Sequence, residues 1–385
     1  MSRVAVLLLL FSVTCHIALG AVMYEHGGEI PNGGFEKGPS PSDLDGTRLK
    51  SSNSIPNWVT SGYVEFITAG ATQKDMLLVV PEGTSAVRLG NDACIKQKLK
   101  LTPGTFYSLT FSAARTCAQQ EKLKLSVSPT TEAGDTGVLP IQTLYSSNGW
   151  DSYCWGFIAE AEEVEISFRN PADDKEDAAC GPIIDSVSLV ALPRSVKTSP
   201  ENLLRNGNFE LGPYISPNSS WGVMIPSNTQ DAHSPLIGWG VPSLKAVKYV
   251  DFGHFFVPVG NRAVELMAGQ ESVIVQVVWT TVGKEYLLTF AIGDASNSCE
   301  GSMVVEAVAG GKSTKVSYES TGKGGFKRGK LGFIADSQLT RVKFLSWRYT
   351  MKSDHSGSLC GPVVDDVKLV EVNAPRKTVT QHKHA

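Results

Sequence analysis

Cys180-Gly-Pro-Ile-Ile-Asp-Ser-Val-Ser-Leu-Val190 returns later in the chain as Cys360-Gly-Pro-Val-Val-Asp-Asp-Val-Lys-Leu-Val370. Each copy is a cysteine and a Gly-Pro turn leading into alternating apolar residues, the pattern of a closing β-strand tied to an earlier part of its own domain. The beginnings repeat as well, Asn32-Gly-Gly-Phe-Glu-Lys-Gly-Pro39 answering Asn206-Gly-Asn-Phe-Glu-Leu-Gly-Pro213. Between them Tyr107-Ser-Leu-Thr-Phe111 matches Tyr286-Leu-Leu-Thr-Phe290, Cys117 matches Cys299, and Gly156-Phe-Ile-Ala159 matches Gly332-Phe-Ile-Ala335. These landmarks keep their order at offsets from 174 (32 to 206) to 182 (117 to 299) residues. That period is too long for a solenoid and marks two whole homologous domains.

Between the landmarks the chain reads as strands. Lys122-Leu-Lys-Leu-Ser-Val127, Glu163-Val-Glu-Ile-Ser-Phe168, Ser302-Met-Val-Val-Glu-Ala307 and Thr340-Arg-Val-Lys-Phe344 alternate wholly or in part, separated by Gly, Pro, Asn and Asp clusters. Helical periodicity is missing beyond the leader. The expected fold is therefore all-β, two tandem jelly-roll β-sandwich domains over 21–190 and 202–372, with a Pro-containing linker at 191–201 and a polar tail at 373–385.

Arg3, the apolar run from Val4 to Val13 and the small residues Ala18 and Gly20 form a secretory signal peptide over 1–20. Further along, the sequence predicts neither a membrane helix nor a lipid-anchor signal. Losing the leader removes Cys15 and leaves six cysteines, an even number that suits an oxidising compartment. Repeat equivalence pairs Cys117 with Cys180 and Cys299 with Cys360, and leaves Cys94 with Cys154 as an extra bridge. Each repeated bridge closes a loop of about 60 residues, worth about 4 kcal/mol by loop entropy if unstrained. Asn218-Ser-Ser220 is a glycosylation sequon.

Motifs for hydrolysis, phosphate binding or dinucleotide binding are missing, and the mature first unit holds one histidine, His26. Nothing here assembles a catalytic constellation, so the chain reads as non-catalytic with no cofactor required. Two acids recur in both units: Glu36 and Glu210 after the first Phe, Asp185 and Asp365 in the closing strand. Either each Glu and Asp pair holds a structural calcium ion, or the Glu caps a turn and the Asp accepts backbone N–H bonds. Trp58 and Trp239 are also equivalent and, flanked by apolar residues, read as core in preference to sugar-stacking platforms.

The two copies differ most in charge. From Leu125 to Phe168 there are seven acids and no Lys or Arg, whereas Lys312 to Lys352 holds ten bases against Glu319 and Asp336. The excess of +8 (10 minus 2) sits in a mature chain of net charge −4 (34 bases minus 38 acids), so the segment is a local basic field. Glu165 and Ser167 correspond to Arg341 and Lys343. With period two, Arg341, Lys343, Trp347 and Tyr349 share one outer face if the strand runs on without a bulge. Lys323, Lys327 and Arg328 add to the same field. Cations beside aromatic rings suit a carboxylated polysaccharide, the charge meeting uronates and the rings meeting apolar sugar faces. Nucleic acid could use the same residues, but export removes it as a partner. A solvated charged face is the plain alternative.

The mature chain resembles the plant cell-wall family known as Domain of Unknown Function 642. The densest match is in the second unit: Asn206-Gly-Asn-Phe209, His254-Phe-Phe-Val-Pro258, Gly293-Asp-Ala295, Gly322-Lys-Gly-Gly-Phe-Lys-Arg328 and Ser358-Leu-Cys-Gly-Pro362. The first unit departs from it with Asn32-Gly-Gly-Phe35. The resemblance implies tandem galactose-binding-like domains, export to the wall, non-catalytic association with cellulose or pectin, and association with pectin methylesterase. It carries over no active residues. Together these readings predict a secreted protein that binds acidic pectin through its second domain and modulates pectin-modifying enzymes. The rivals are a purely protein-binding regulator of wall enzymes and a glycan-active enzyme.

Overall fold

The computed structural model describes residues 28, 30–73, 76–117, 121–129, 135–141, 148–172, 178–216, 221–227, 229 and 233–372. The leader, Cys15, His26, the sequon at Asn218 and the tail 373–385 lie outside the described residues.

The first unit contributes β1 (Leu44–Asp45), β2 (Arg48–Leu49), β3 (Val59–Ser61), β4 (Val64–Thr68), β5 (Thr72–Gln73), β6 (Met76–Leu77), β7 (Ser85–Leu89) and β8 (Cys94–Lys100). It continues with β9 (Phe106–Ala114), β10 (Glu121–Ser128), β11 (Asp135–Ile141), β12 (Trp150–Ile158), β13 (Glu163–Arg169) and β14 (Ile183–Leu192). The second unit contributes β15 (Val223–Ile225), β16 (Val247–Asp251), β17 (Arg262–Glu265), β18 (Val273–Trp279), β19 (Glu285–Gly293) and β20 (Glu300–Ala309). Its remaining strands are β21 (Lys312–Thr321), β22 (Phe326–Ile334), β23 (Leu339–Ser346), β24 (Thr350–Met351), β25 (Leu359–Cys360) and β26 (Val363–Glu371).

Both units are sandwiches of one design. The large sheet runs β4-β7-β14-β9-β12 in the first and β16-β17-β26-β19-β22 in the second; the small sheet runs β11-β10-β13-β8 and β21-β20-β23-β18. Alternation in sequence decides which side is buried: along β20, Met303, Val305, Ala307 and Ala309 face inward. The Gly310-Gly311 pair, at φ +52° and +69°, makes the two-residue hairpin into β21 that a primed turn requires.

The cores repeat residue for residue. Phe35 packs on Trp58 and Phe209 on Trp239, both at 5.3 Å between ring centroids. Phe111 meets Phe168 edge-on at 5.1 Å, and Phe290 meets Phe344 edge-on at 5.0 Å. Each tryptophan is buried and donates its indole N–H to the carbonyl of the turn asparagine, Asn32 at 2.9 Å and Asn206 at 3.1 Å. Both are core residues, as their apolar flanks imply.

One strand pairing makes the two sandwiches continuous. Within the 13-stranded sheet, Tyr153 of β12 pairs in parallel with Met224 of β15. Tyr153 and Met224 lie in the first core, while their chain neighbours Cys154, Val223 and Ile225 lie in the second. Successive strand residues point to opposite faces. The two cores therefore sit on opposite faces of a shared sheet.

Cys117 joins Cys180 and Cys299 joins Cys360. The expected third bridge does not form: Cys94 and Cys154 are both free thiols. Cys94 shares the outward side of β8 with Lys96 and Lys98, and Cys154 leaves the far side of the first sandwich to enter the second core. A whole domain thickness separates them, and an even cysteine count carries no information about facing. Burial pushes both thiols up, Cys154 well above the ordinary value.

Candidate functional site

The outer face of β18 and β23 is where the repeats part. Along β18, Ile274, Gln276 and Val278 are buried, so Val275, Val277 and Trp279 turn outward, Trp279 to 71% exposure. Along β23, Thr340, Val342 and Phe344 are buried, which presents Leu339, Arg341 and Lys343. The register sets Trp279 opposite Leu339, Val277 opposite Arg341 and Val275 opposite Lys343. Directly opposed residues of an antiparallel pair share a face.

The first unit holds Lys100 opposite Glu163, Lys98 opposite Glu165 and Lys96 opposite Ser167 at the same places. Lys98 reaches Glu163 at 2.8 Å and Lys96 reaches Glu165 at 3.2 Å. The hydrogen bond between Lys98 and Glu163 raises the ammonium's pKa and lowers the carboxyl's. Two of the acids that stand unrelieved in the sequence, Glu163 and Glu165, are thus neutralised from the neighbouring strand. In the second unit valines replace those lysines, and Arg341 and Lys343 make no ion pair among the described residues.

Trp347 lies just beyond β23 on this same face, donating its indole N–H to Glu306 at 2.7 Å. The Lys315 ammonium rests 3.3 Å from its ring centroid, so a cation already covers that ring. The Ser313 hydroxyl first, then the Trp347 indole and the charges of Lys315 and Lys343, hold the Glu306 carboxyl below its ordinary range.

The other expected residues go elsewhere. Tyr349 bridges Ala268 and donates its hydroxyl to Glu271 at the end of the sheet, and burial together with that carboxylate pushes its pKa up to about 12. Lys323, Lys327 and Arg328 belong to β22 and the turn before it, at the far edge of the large sheet. Lys327 donates to the Ser317 carbonyl at 3.4 Å, and Arg328 binds Asp366 at 2.7 Å. Their separation from Arg341 has a topological cause, because β21, β22 and β23 alternate between sheets. Adjacency in sequence here means opposite sides of the domain. Conversely, Trp279 was absent from the expected set and stands beside Arg341's strand partner.

The paired acids form a different device from a cation cage. Asp185 accepts N–H from Glu82 at 2.9 Å and Ser186 at 2.7 Å; Asp365 accepts from Val259 at 2.8 Å and Asp366 at 2.6 Å. Glu36 takes the amides of Thr84 and Ser85, and Glu210 those of Asn261 and Arg262. Gly83 (φ +66°) and Gly260 (φ +75°) let this loop approach: a Cβ at either would sit 2.2 Å from the glutamate oxygen. A calcium ion needs six to eight oxygens, whereas here amide donors face the carboxylates. Among the described residues the only close group of three His, Cys, Asp or Glu side chains is Cys117, Glu121 and Cys180, two of them in a disulfide. Glu36, Asp185, Glu210 and Asp365 therefore fit the hydrogen-bonding alternative and do not fit calcium. Adding calcium to chelator-treated protein is expected to leave the melting temperature unchanged; a calcium-dependent rise would contradict this assignment.

Two sandwiches of one strand order, each closed by its own disulfide, define a tandem all-β sandwich protein. The sequence profile described as "Protein of unknown function (DUF642)" matches residues 28–190 and 202–370, and the chain belongs to that family. It is 55% identical over 367 residues to "Protein DUF642 L-GALACTONO-1,4-LACTONE-RESPONSIVE GENE 2" of Arabidopsis thaliana, covering 95% of this chain and 97% of that protein. It is 46% identical over 340 residues to "Protein TEEBE" of the same plant, covering 88% and 90%. Among solved structures, the CBM22-1-CBM22-2 tandem domain of Paenibacillus barcinonensis Xyn10C overlaps 82% of this chain and 94% of its own, at 13% identity and a TM-score of 0.28. No helix of the described residues is long and apolar enough to cross a membrane.

Proposed function

We propose that this is a secreted, non-catalytic cell-wall protein that binds acidic wall polysaccharide, with de-esterified homogalacturonan as the ligand and the outer face of β18 and β23 as the site. The observation that carries this reading is a double exchange: Arg341 and Lys343 stand where the first unit has Glu165 and Ser167, and Val277 and Val275 stand opposite them where it has Lys98 and Lys96, so the Lys–Glu pairing that neutralises the first unit's strand pair is replaced by cations facing valines. Unpaired cations offer charge-assisted hydrogen bonds to uronate carboxylates. Trp279, with Val277 and Leu339 beside it, offers an apolar surface to the sugar ring. Pectin methylesterase, which works on the same polymer, is the protein partner that the family resemblance implies.

Binding to de-esterified and to fully methyl-esterified homogalacturonan across a salt series tests the proposal. A preference for the de-esterified polymer that fades with salt is expected, since salt screens exposed charges. Equal, salt-insensitive binding to both would point to a neutral glycan. Binding of the esterase without pectin would favour the protein-binding rival, and release of methanol or reducing ends by the protein alone would favour an enzyme.

A further inference from the structure

The second unit bears another cationic surface, back to back with the first. On β22, Gly329, Leu331 and Phe333 face the core, so Phe326, Arg328, Lys330 and Ile334 face out. The register lines up Lys330 with Thr289 and Thr289 with Lys368, across three strands of the large sheet. Asp366 sits between Arg328 at 2.7 Å and Lys368 at 2.9 Å. Three cations minus one carboxylate leave +2, and exposed Lys323 stands in the turn before β22. Lys323 and Lys330 make no ion pair among the described residues.

Among the described residues the first unit has no counterpart to either surface. Its small-sheet face is neutralised by the Lys98 and Lys96 pairs. On its large sheet, Ser152 and Ser188 take the places of Arg328 and Lys368 by repeat alignment, and the second unit covers them: both line a shallow cleft with Tyr214, Ser216 and Val223. Cys154, the equivalent of Lys330, is buried in the second core. Small side chains there make room for the neighbouring domain. Both anion-receptive faces are thus on one sandwich, on opposite sides of one core, its two sheets about 10 Å apart.

We propose that the second unit holds two acidic polysaccharide chains at once, one on the β18 and β23 face and one on the β22, β19 and β26 face, and so acts as a non-covalent cross-link between chains. This rests on the polysaccharide reading above and extends it from one site to two. A single domain gripping two chains turns binding into bridging without any new contact, by multivalency.

The test counts sites and looks for bridging. Calorimetric titration of the mature protein with a short oligogalacturonate should saturate at two chains per protein. Mixing with long de-esterified homogalacturonan should give turbidity near equivalence that clears with either component in excess. Lys323→Glu with Lys330→Glu, or Arg341→Glu with Lys343→Ser, should each reduce the count to one and abolish turbidity while polymer is still bound. Lys37→Glu with Lys197→Glu, a comparable charge change on neither face, should keep both. If the first variant fails to fold, Lys330→Gln alone should still weaken one of the two sites at least several-fold. One site and no turbidity in the wild-type protein, with binding intact, overturns the cross-link and spares the polysaccharide reading. Two sites and full turbidity in the Lys323 and Lys330 variant also overturn it, and leave those lysines as guards of a sheet edge. No binding of either probe removes the polysaccharide reading and the cross-link together.

Discussion

Arg341→Glu with Lys343→Ser is expected to lower the affinity of the β18 and β23 face for de-esterified homogalacturonan about thirtyfold at low salt, or about 2 kcal/mol. Each lost contact is an exposed, charge-assisted one worth about 1 kcal/mol or somewhat more, and the new glutamate repels the uronate that Arg341 would hold. The change copies the equivalent residues of the first unit, Glu165 and Ser167, onto a strand whose partners are Val277 and Val275. Neither opposed residue is a lysine that could neutralise the new acid as Lys98 and Lys96 do in the first unit. The deficit should shrink as salt rises, because screening weakens the wild-type attraction and the variant's repulsion alike. Trp279→Ala separates the other half of the site: stacking is apolar, so its loss should persist at high salt. A thirtyfold loss that salt does not relieve would mean that the double change damaged the fold and not the electrostatics. Unchanged affinity at low salt would remove Arg341 and Lys343 from the site.

Much of this arrangement is legible in the sequence, and the parts that are not have physical reasons. Repeat equivalence places both disulfides and both core tryptophans correctly, because a duplicated fold must pack equivalent residues alike. It also turns Arg341 and Lys343 outward, since Val342 and Phe344 mark the inward side of a period-two strand. Trp279 escapes because Val273-Ile-Val-Gln-Val-Val-Trp279 inverts the usual signal: its polar residue is inside and its largest apolar one outside. Gln276 is buried because its amide grips Arg205, accepting the backbone N–H at 2.7 Å and donating to the carbonyl at 2.9 Å. Gln97 in the first unit is buried likewise, donating to Pro31 and Asn57. That shared glutamine was the available clue to the phase of β18. Grouping Lys323, Lys327 and Arg328 with Arg341 fails for another reason, since nearness along the chain says nothing about which sheet each hairpin arm joins. The union of the two sandwiches was equally hidden: β15 is three residues long and finds its partner in the other unit.

Melting temperature is expected to fall as pH rises from about 4 toward 8, with Asp185 and Asp365 as the cause. Burial pushes Asp185 up to about 8 and Asp365 up to about 7, outweighing the two amide hydrogen bonds that each accepts. The negative charges of Glu82 and Glu36 near Asp185, and of Asp366 and Glu210 near Asp365, add to the rise. An unfolded aspartate titrates near 3.8. Between that value and the folded one, the native state therefore binds a proton that the unfolded chain has released. Stability from each group is fully present below the unfolded value and is lost as pH rises through about 7 for Asp365 and about 8 for Asp185. Inside the window the slope is at most about 1.4 kcal/mol per pH unit per group. From pH 5 to 7 that amounts to a fall of roughly 5–10 °C for the unit concerned. Asp185→Asn and Asp365→Asn should flatten the dependence of their own units. The amide keeps the size and is neutral at every pH, though it sacrifices one backbone N–H bond, so each variant should also melt lower at pH 5. A melting temperature that rises steadily from pH 5 to 8 would show that both groups are ionised in the native state and that the amide bonds of the Pro81 and Pro258 loops outweigh burial. Under the proposed function the expected slope has a consequence. Uronates remain charged down to pH of about 4, so in mildly acidic solution the frame that carries Arg341 and Lys343 is at its most stable while its ligand is still an anion.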